Sequence, residues 1–323
     1  MIPGNVLVVG GAGFVGRHLV AALAARGCRV TVATRRRERA KHLFLLPTVE
    51  VVEDDVNLPR VLKRLTAGRD TVINLAGVLH SRRGRRDECG SNDYGPDFAR
   101  VHVELAQAVV GACRAAGVKR LLHMSALGAD PKAPSEYLRS KGVGERAALA
   151  AEDLAVTVFR PSVIFGPEDS FLNLFALLAK FLPVIVLACP QARFQPVHVG
   201  DVVQAFLAAL DERGSQARRY DLGGPRQYTL RELVVLVCAI TGRRRLIFGL
   251  GERLSMAQAR MLELLPVKLM TRDNVRSMQV PSVCSTPFPF GIEPAALEAL
   301  APSWLAPAGP RERYPALRTH ARR

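Results

Sequence analysis

Apolar residues in the first half of the chain follow two alternating periods. Short β-branched runs at 5–9, 29–33, 49–52, 71–75, 120–124 and 156–160 predict strands. Between them, 15–26, 58–65, 98–116 and 137–151 carry apolar positions at helical spacing, such as Val15, Leu19 and Leu23. Alternating strands and helices imply parallel pairing through right-handed crossovers, with helices over both sheet faces. The predicted fold class is α/β, a Rossmann-like doubly wound parallel sheet with a smaller C-terminal substrate domain.

The alternation lapses after Pro161, where proline, glycine and aromatic residues become frequent. It resumes as a strand tip and helix at 196–210 and a short strand at 219–222, so the chain is expected to return there to its first domain. This predicts a dinucleotide-binding domain of residues 1–165 plus about 195–223 and a substrate or partner domain of about 166–194 plus 224–300. The Pro- and Arg-rich tail at 301–323 reads as an extended arm. Residues 80–96, with Arg82, Arg83, Arg85, Arg86 and three glycines, read as a basic loop. The stretch 171–190 holds a single charge, Lys180, but Pro183 interrupts it. Its longest uncharged run through the core has 12 residues, short of the roughly 20 that a spanning helix needs. No transmembrane segment is predicted. The stretch reads as a buried lid or substrate-domain helix, the other reading being an apolar patch that docks on a membrane surface or hydrophobic partner.

The first strand runs into Gly10-Gly11-Ala12-Gly13-Phe14-Val15-Gly16, a Gly-x-x-Gly-x-x-Gly turn between strand and helix. Gly10 permits the tight turn, Gly13 lets backbone approach a pyrophosphate, and Gly16 lets the helix pack closely, so that free N–H groups face an anion. The bland reading is an ordinary glycine-rich turn. At the end of the second strand, where an acid would hold a ribose 2′-hydroxyl, stands Thr34 followed by Arg35, Arg36, Arg37 and Arg39. Guanidinium groups pair with a 2′-phosphate, which favours NADP(H) over NAD(H); a solvated basic turn is the alternative. Asp55 and Val56 after the third strand are placed at the adenine, and Asn74 to Gly77 end the fourth strand where small residues let a cofactor lie against backbone.

Charge changes this picture little. Lys plus Arg number 45 against 29 Asp plus Glu, a net +16, and only seven of the 45 are lysines. Nucleic acid, anionic lipid, an acidic protein face and a phosphorylated cofactor all suit that excess, as does a general arginine habit of the source organism. Nucleic acid is set aside for want of interleaved aromatics, with one Trp and five Tyr. Six cysteines at least 24 residues apart, without a CxxC, point to reduced thiols in a cytosolic compartment rather than to a metal knuckle. His80, His102, His123 and His198 are scattered, which favours core or cofactor-shell packing over a metal site. The chain enters its first strand almost at once, leaving no room for a signal segment, so export is not expected.

Tyr137 and Lys141 lie one helical turn apart, twelve residues after Ser125 at a strand end. In that frame Lys141 would hold the nicotinamide ribose and lower the phenol's pKa, Tyr137 would serve as acid or base, and Ser125 would hydrogen-bond the reacting oxygen. With NLAG at Asn74 to Gly77, YLRSK at Tyr137 to Lys141, RPSVIFGP at Arg160 to Pro167 and VHVGDV at Val197 to Val202, the chain resembles the extended, epimerase-like branch of the short-chain dehydrogenase/reductases over about residues 5–240. The blocks HMSALGADPKAPSEYLRSKGVGERA, FRPSVIFGPEDSFLNLFA and FQPVHVGDVVQA are more closely similar to the atypical subfamily that contains the nucleotide-binding accessory subunit of respiratory complex I, in a bacterial, free-standing form. The resemblance implies NADP(H), with NAD(H) as the alternative, held at Gly10, Gly13, Phe14, Val15, Gly16, Arg35, Arg36, Asp55, Val56, Ala76, Gly77, Tyr137, Lys141, Pro161 and Val163.

The resemblance implies no particular substrate, since relatives include epimerases, dehydratases, reductases and quinone-biosynthesis factors. Two readings follow. One is a nucleotide-ordered protein that assembles a respiratory or quinone-linked complex, in the cytoplasm or peripherally on the inner face of the membrane. The other is an oxidoreductase, epimerase or dehydratase that uses Ser125, Tyr137 and Lys141.

Overall fold

The computed structural model describes residues 4–82, 94–264 and 269–306. The predicted alternation is realised as β1 (Asn5–Val9), α1 (Phe14–Ala25), β2 (Arg29–Thr34), β3 (Val49–Glu53), α2 (Pro59–Thr66) and β4 (Thr71–Asn74). There follow α3 (Pro96–Phe98), a π-helical stretch Ala99–Glu104, α4 (Leu105–Ala115), β5 (Arg120–Met124), α5 (Glu136–Leu149) and β6 (Ala155–Pro161). The π-helical stretch is a departure from the single helix expected over 98–116. Its cause is tertiary: a Cβ on Gly144 of α5 would collide with the His102 carbonyl oxygen, so the two backbones nearly touch there.

The remaining elements are β7 (Ile164–Phe165), α6 (Leu172–Phe181), β8 (Val184–Leu187), β9 (Arg193–Phe194), β10 (Val197–His198), α7 (Val199–Asp211), β11 (Arg218–Leu222), β12 (Tyr228–Thr229), α8 (Leu230–Ile240), β13 (Leu246–Gly249), α9 (Glu252–Leu262), α10 (Arg272–Ser277), α11 (Leu297–Leu300) and α12 (Pro302–Leu305). Seven strands form one parallel sheet in the order β11-β6-β5-β4-β1-β2-β3. The order reverses beside β1, the crevice where open parallel sheets bind ligands. β1 shows why both faces are covered. Val6 and Val8 join α1 and α7 in one core, while Leu7 and Val9 join α2, α4 and α5 in the other, as a period-two strand buried on both sides requires.

A third core, around Phe165, Leu172, Ile185, Leu233 and Leu297, holds the C-terminal elements together. Two expectations are corrected in that region. The stretch 171–190 is not a buried helix: α6 buries only Leu172 and Ala179, then gives way to β8, whose side chains alternate between exposed and buried. The Pro302 end is not extended, because Pro302–Leu305 forms a helical turn that packs Leu305 and Trp304 on this core. The arginines at 83, 85 and 86 of the basic loop, Cys89, and the tail from residue 307 lie outside the described residues. The five cysteines within them are free.

Candidate functional site

Six of the predicted site segments fall at the C-terminal ends of neighbouring strands: Gly10 after β1, Arg35 and Arg36 after β2, Asp55 after β3, Ala76 and Gly77 after β4, Ser125 after β5, and Pro161 at the end of β6. The parallel sheet thus brings to one edge residues up to 151 positions apart in sequence.

At the first turn Gly10 has φ +82°, and a Cβ there would sit 3.0 Å from the Ala76 nitrogen. Gly13 donates its N–H to the Gly10 carbonyl at 3.0 Å and is the N-cap of α1, which has neither a capping side chain nor an acid in its first turn. Helix geometry leaves the N–H groups of Phe14, Val15 and Gly16 without intrahelical acceptors, and the dipole adds positive potential. A Cβ on Gly16 would lie 2.5 Å from the Gly10 carbonyl oxygen and 2.6 Å from Gly11 backbone. The cradle therefore fits a pyrophosphate and depends on being free of side chains. Substituting Gly16 with alanine is expected to cost about 1–3 kcal/mol of stability and to weaken dinucleotide binding about tenfold or more. Calorimetric titration and thermal melting of the variant check this. Val15 contributes only backbone, because its side chain is buried in the core; Phe14 packs its ring edge-on to His18 at 5.8 Å.

The Arg35 and Arg36 side chains are exposed, and the Thr34 hydroxyl shapes their turn by donating to the Arg36 carbonyl at 3.1 Å. Arg37 is drawn aside, its guanidinium 5.1 Å from the centre of the Phe44 ring. The Asp55 carboxylate accepts from the backbone N–H and side chain of Asn57, and Val56 packs on the α2 face of the sheet. Pro161 is buried, its carbonyl accepting from Leu127 N–H at 3.0 Å, and Val163 is half-buried.

At the other end, α5 carries Lys141 across the strand ends. The lysine is 3% exposed, and its Nζ donates to the carbonyls of Met124 at 3.1 Å and Ala76 at 3.3 Å. Burial lowers its pKa to about 8. A Cβ on Gly77 would stand 3.2 Å from Nζ and crowd the ammonium that the two carbonyls hold. Next along the chain from Met124, the Ser125 hydroxyl is buried without a hydrogen-bond partner. The Tyr137 ring stands edge-on to His102 and Phe98, at 5.5 and 6.1 Å. Burial pushes its phenol up to about 12, not down. This corrects the expected activation by Lys141, whose ammonium is engaged by the two carbonyls.

Three further residues support this edge. The Asp273 carboxylate of α10 accepts from the N–H groups of Glu136 at 2.6 Å and Tyr137 at 3.0 Å, capping α5 from 136 residues away. His102 accepts from Val78 N–H at 3.0 Å through Nε2, so its Nδ1 carries the proton and donates to Ser140 Oγ at 2.8 Å; Ser140 in turn donates to the Tyr137 carbonyl. His123 accepts from the Asn74 amide through Nδ1 at 3.3 Å, because the Asn74 carbonyl already takes Ala76 N–H, and its Nε2 is buried without a partner. Burial, then the Lys141 charge, lowers His102 to about 2 and His123 to about 3. Asp273 carries no local signal; the histidines, expected as core or cofactor-shell packing, are both buried at this edge. No cluster suited to a metal occurs among the described residues.

The PEDSFLN run proves to be a cap: the buried Asp169 carboxylate accepts from the N–H groups of Gly166, Phe171 and Leu172 at 3.2, 2.8 and 2.5 Å and starts α6, while Glu168 pairs with Arg17 of α1. Arg160 and Arg219 both grip the buried Glu145 of α5, and Asp201 accepts from Ala295 N–H at 2.8 Å.

A sequence profile of the NAD dependent epimerase/dehydratase family matches residues 6–223. The chain belongs to this family. Within it, the chain is 35% identical over 71% of its length to the mitochondrial NADH dehydrogenase (ubiquinone) 1 alpha subcomplex subunit 9 of Arabidopsis thaliana, covering 56% of that protein. It is 37% identical over 64% of its length to the ceramide reductase of Caulobacter vibrioides, covering 60% of it. The chain thus spans little more than half of these two relatives. MoeE5, solved with UDP-glucose and NAD, superposes with a TM-score of 0.63 at 26% identity, covering 77% of this chain and 85% of that one. The epimerase/dehydratase family is one of nicotinamide dinucleotide proteins, and the glycine cradle at β1 suits such a ligand.

Proposed function

We propose that this epimerase/dehydratase-family protein binds NADP(H) and reduces a carbonyl on a lipid-like substrate, with Ser125, Tyr137 and Lys141 as its working residues. The observation that carries the reading is the buried, unpartnered Ser125 hydroxyl beside the strand-end carbonyl that Lys141 holds. An orphaned buried hydroxyl costs about 1–3 kcal/mol, and a substrate oxygen accepting from it would recover that cost. Bound NADPH supplies a hydride. The chain supplies the proton: a phenol pushed up to about 12 is protonated at neutral pH, and so is set to donate to the oxygen as negative charge develops there. Lys141 holds the nicotinamide ribose, and Ser125 orients the carbonyl. The lipid-like substrate class rests on the ceramide reductase relative.

The preference for NADP(H) rests on Arg35 and Arg36, exposed beyond β2 where no acid stands. Charge-assisted pairs are worth about 1.5–3 kcal/mol, so Arg35→Ala with Arg36→Ala is expected to weaken NADPH binding about tenfold to hundredfold and leave NADH binding unchanged. Calorimetry with both coenzymes decides it.

A second reading, a nucleotide that orders a subunit of a respiratory or quinone-linked assembly, draws on the complex I relative. One experiment separates the two. NADPH-loaded protein is offered ceramide-type and other long-chain ketones while coenzyme absorbance is followed. Oxidation by any of them supports the reductase, whereas stoichiometric retention without oxidation supports the structural role.

A further inference from the structure

We propose that the outer face of the small sheet formed by β8 and β13 is a docking surface for an anionic lipid bilayer. The two strands pair in parallel, Leu246 with Val184 and Phe248 with Val186. Partners in register project to the same face, and all four of these side chains are exposed, Phe248 by 57%. The opposite face buries Ile185 and Leu187 in the C-terminal core, so the alternation that should read apolar-in and polar-out is apolar on both sides.

Neighbouring elements extend the face. Phe181, 68% exposed, and Leu177 lie one turn apart on α6, whose end leads through Pro183 into β8; Leu246 N–H donates to the Pro183 carbonyl. On α9, Leu254 and Met261 are exposed on the stripe that contains Gln258, and Gln258 donates to the Val186 carbonyl at 3.0 Å. That stripe therefore borders the free edge of β8.

Charge decides between occupants. Lys180, Arg243, Arg244, Arg245, Arg253 and Arg260 belong to these elements and their immediate flanks, against Glu252, Glu263 and the buried Asp169 that starts α6. Glu263 is already paired with Arg272. Lys180 sits over the Phe181 ring at 5.3 Å, and Arg253 and Arg260 form an exposed stripe beside Leu254 and Met261. A second copy docking by two-fold symmetry would set these cations against themselves. Aliphatic and Phe side chains rimmed by Arg and Lys match the boundary between acyl chains and anionic headgroups. No helix among the described residues is long and apolar enough to cross a membrane, so the contact is peripheral.

This surface is independent of coenzyme chemistry, and so is its test. The full chain is floated with phosphatidylcholine vesicles and with vesicles that also contain phosphatidylglycerol. Binding is expected only to the latter, and Phe248→Asp is expected to lower the partition about tenfold or more with melting temperature and NADPH affinity unchanged. A Phe248→Trp variant is expected to gain fluorescence quenching by brominated anionic lipid. Undiminished partition of Phe248→Asp would overturn the assignment, leaving the binding to other basic segments. Absence of vesicle binding would overturn it too, and light scattering would then show whether a second copy covers the face.

Discussion

Replacing Tyr137 with phenylalanine is expected to lower carbonyl turnover about a thousandfold, within the range that a positioned acid contributes, while NADPH affinity changes by less than about twofold. The reason lies in what the ring and the hydroxyl each do. The ring packs edge-on to His102 and Phe98, and phenylalanine keeps those contacts. The Tyr137 N–H stays capped by Asp273, and its carbonyl still accepts from Ser140, since neither involves the phenol. Only the proton is lost. Lys141→Met is expected to behave differently, because the ammonium ties the ends of β4 and β5 together through Ala76 and Met124; coenzyme affinity should fall along with kcat. Steady-state kinetics and NADPH titration on the two variants make the comparison. A Tyr137→Phe enzyme with more than about a tenth of the activity would move the acid to another group.

The parts of this arrangement that sequence could reveal are those written in local periods. Val6 to Val9 betray a strand buried on both faces, and the three glycines that follow announce a backbone that must be approached closely. Tyr137 and Lys141 share a helix face by spacing alone. What stayed hidden depends on contacts between distant segments. The π-helical turn around His102 follows from its carbonyl meeting Gly144, which no property of 98–116 foretells. Asp273 caps α5 from a short helix with nothing to mark it. The phenol's pKa was misjudged because spacing shows that Lys141 is near, but not that its donors already face two carbonyls. The exposed face of β8 was left open between a buried helix and an apolar docking patch, because apolar sequence implies burial unless its partner strand, here β13, is known to turn the same side outward.

The two buried histidines give the fold a steep dependence on acid. Both are held neutral first by burial, which penalises the charged ring, and then by the Lys141 ammonium, which opposes a second positive charge. In the folded chain they take up protons only near pH 2 and 3, whereas in the unfolded chain both do so near 6.5. Their folded pKa values are depressed, so the unfolded state binds more protons below 6.5 and stability falls as pH falls from there. Two such groups give a limiting slope of about 3 kcal/mol per pH unit and a loss of about 4 kcal/mol between pH 7 and pH 5. That is a large share of the 5–15 kcal/mol typical of a folded domain. Smaller downward shifts at His18, His42 and His198 act in the same direction. Urea unfolding at pH 7, 6 and 5, without added coenzyme, measures the slope. His123→Gln should roughly halve it, since one titrating group remains, whatever its effect on stability at pH 7. A stability that stays level from pH 7 to 5 would mean that one or both imidazoles reach water in the folded chain, and the neutral hydrogen-bond chain from Val78 through His102 to Tyr137 would have to be redrawn.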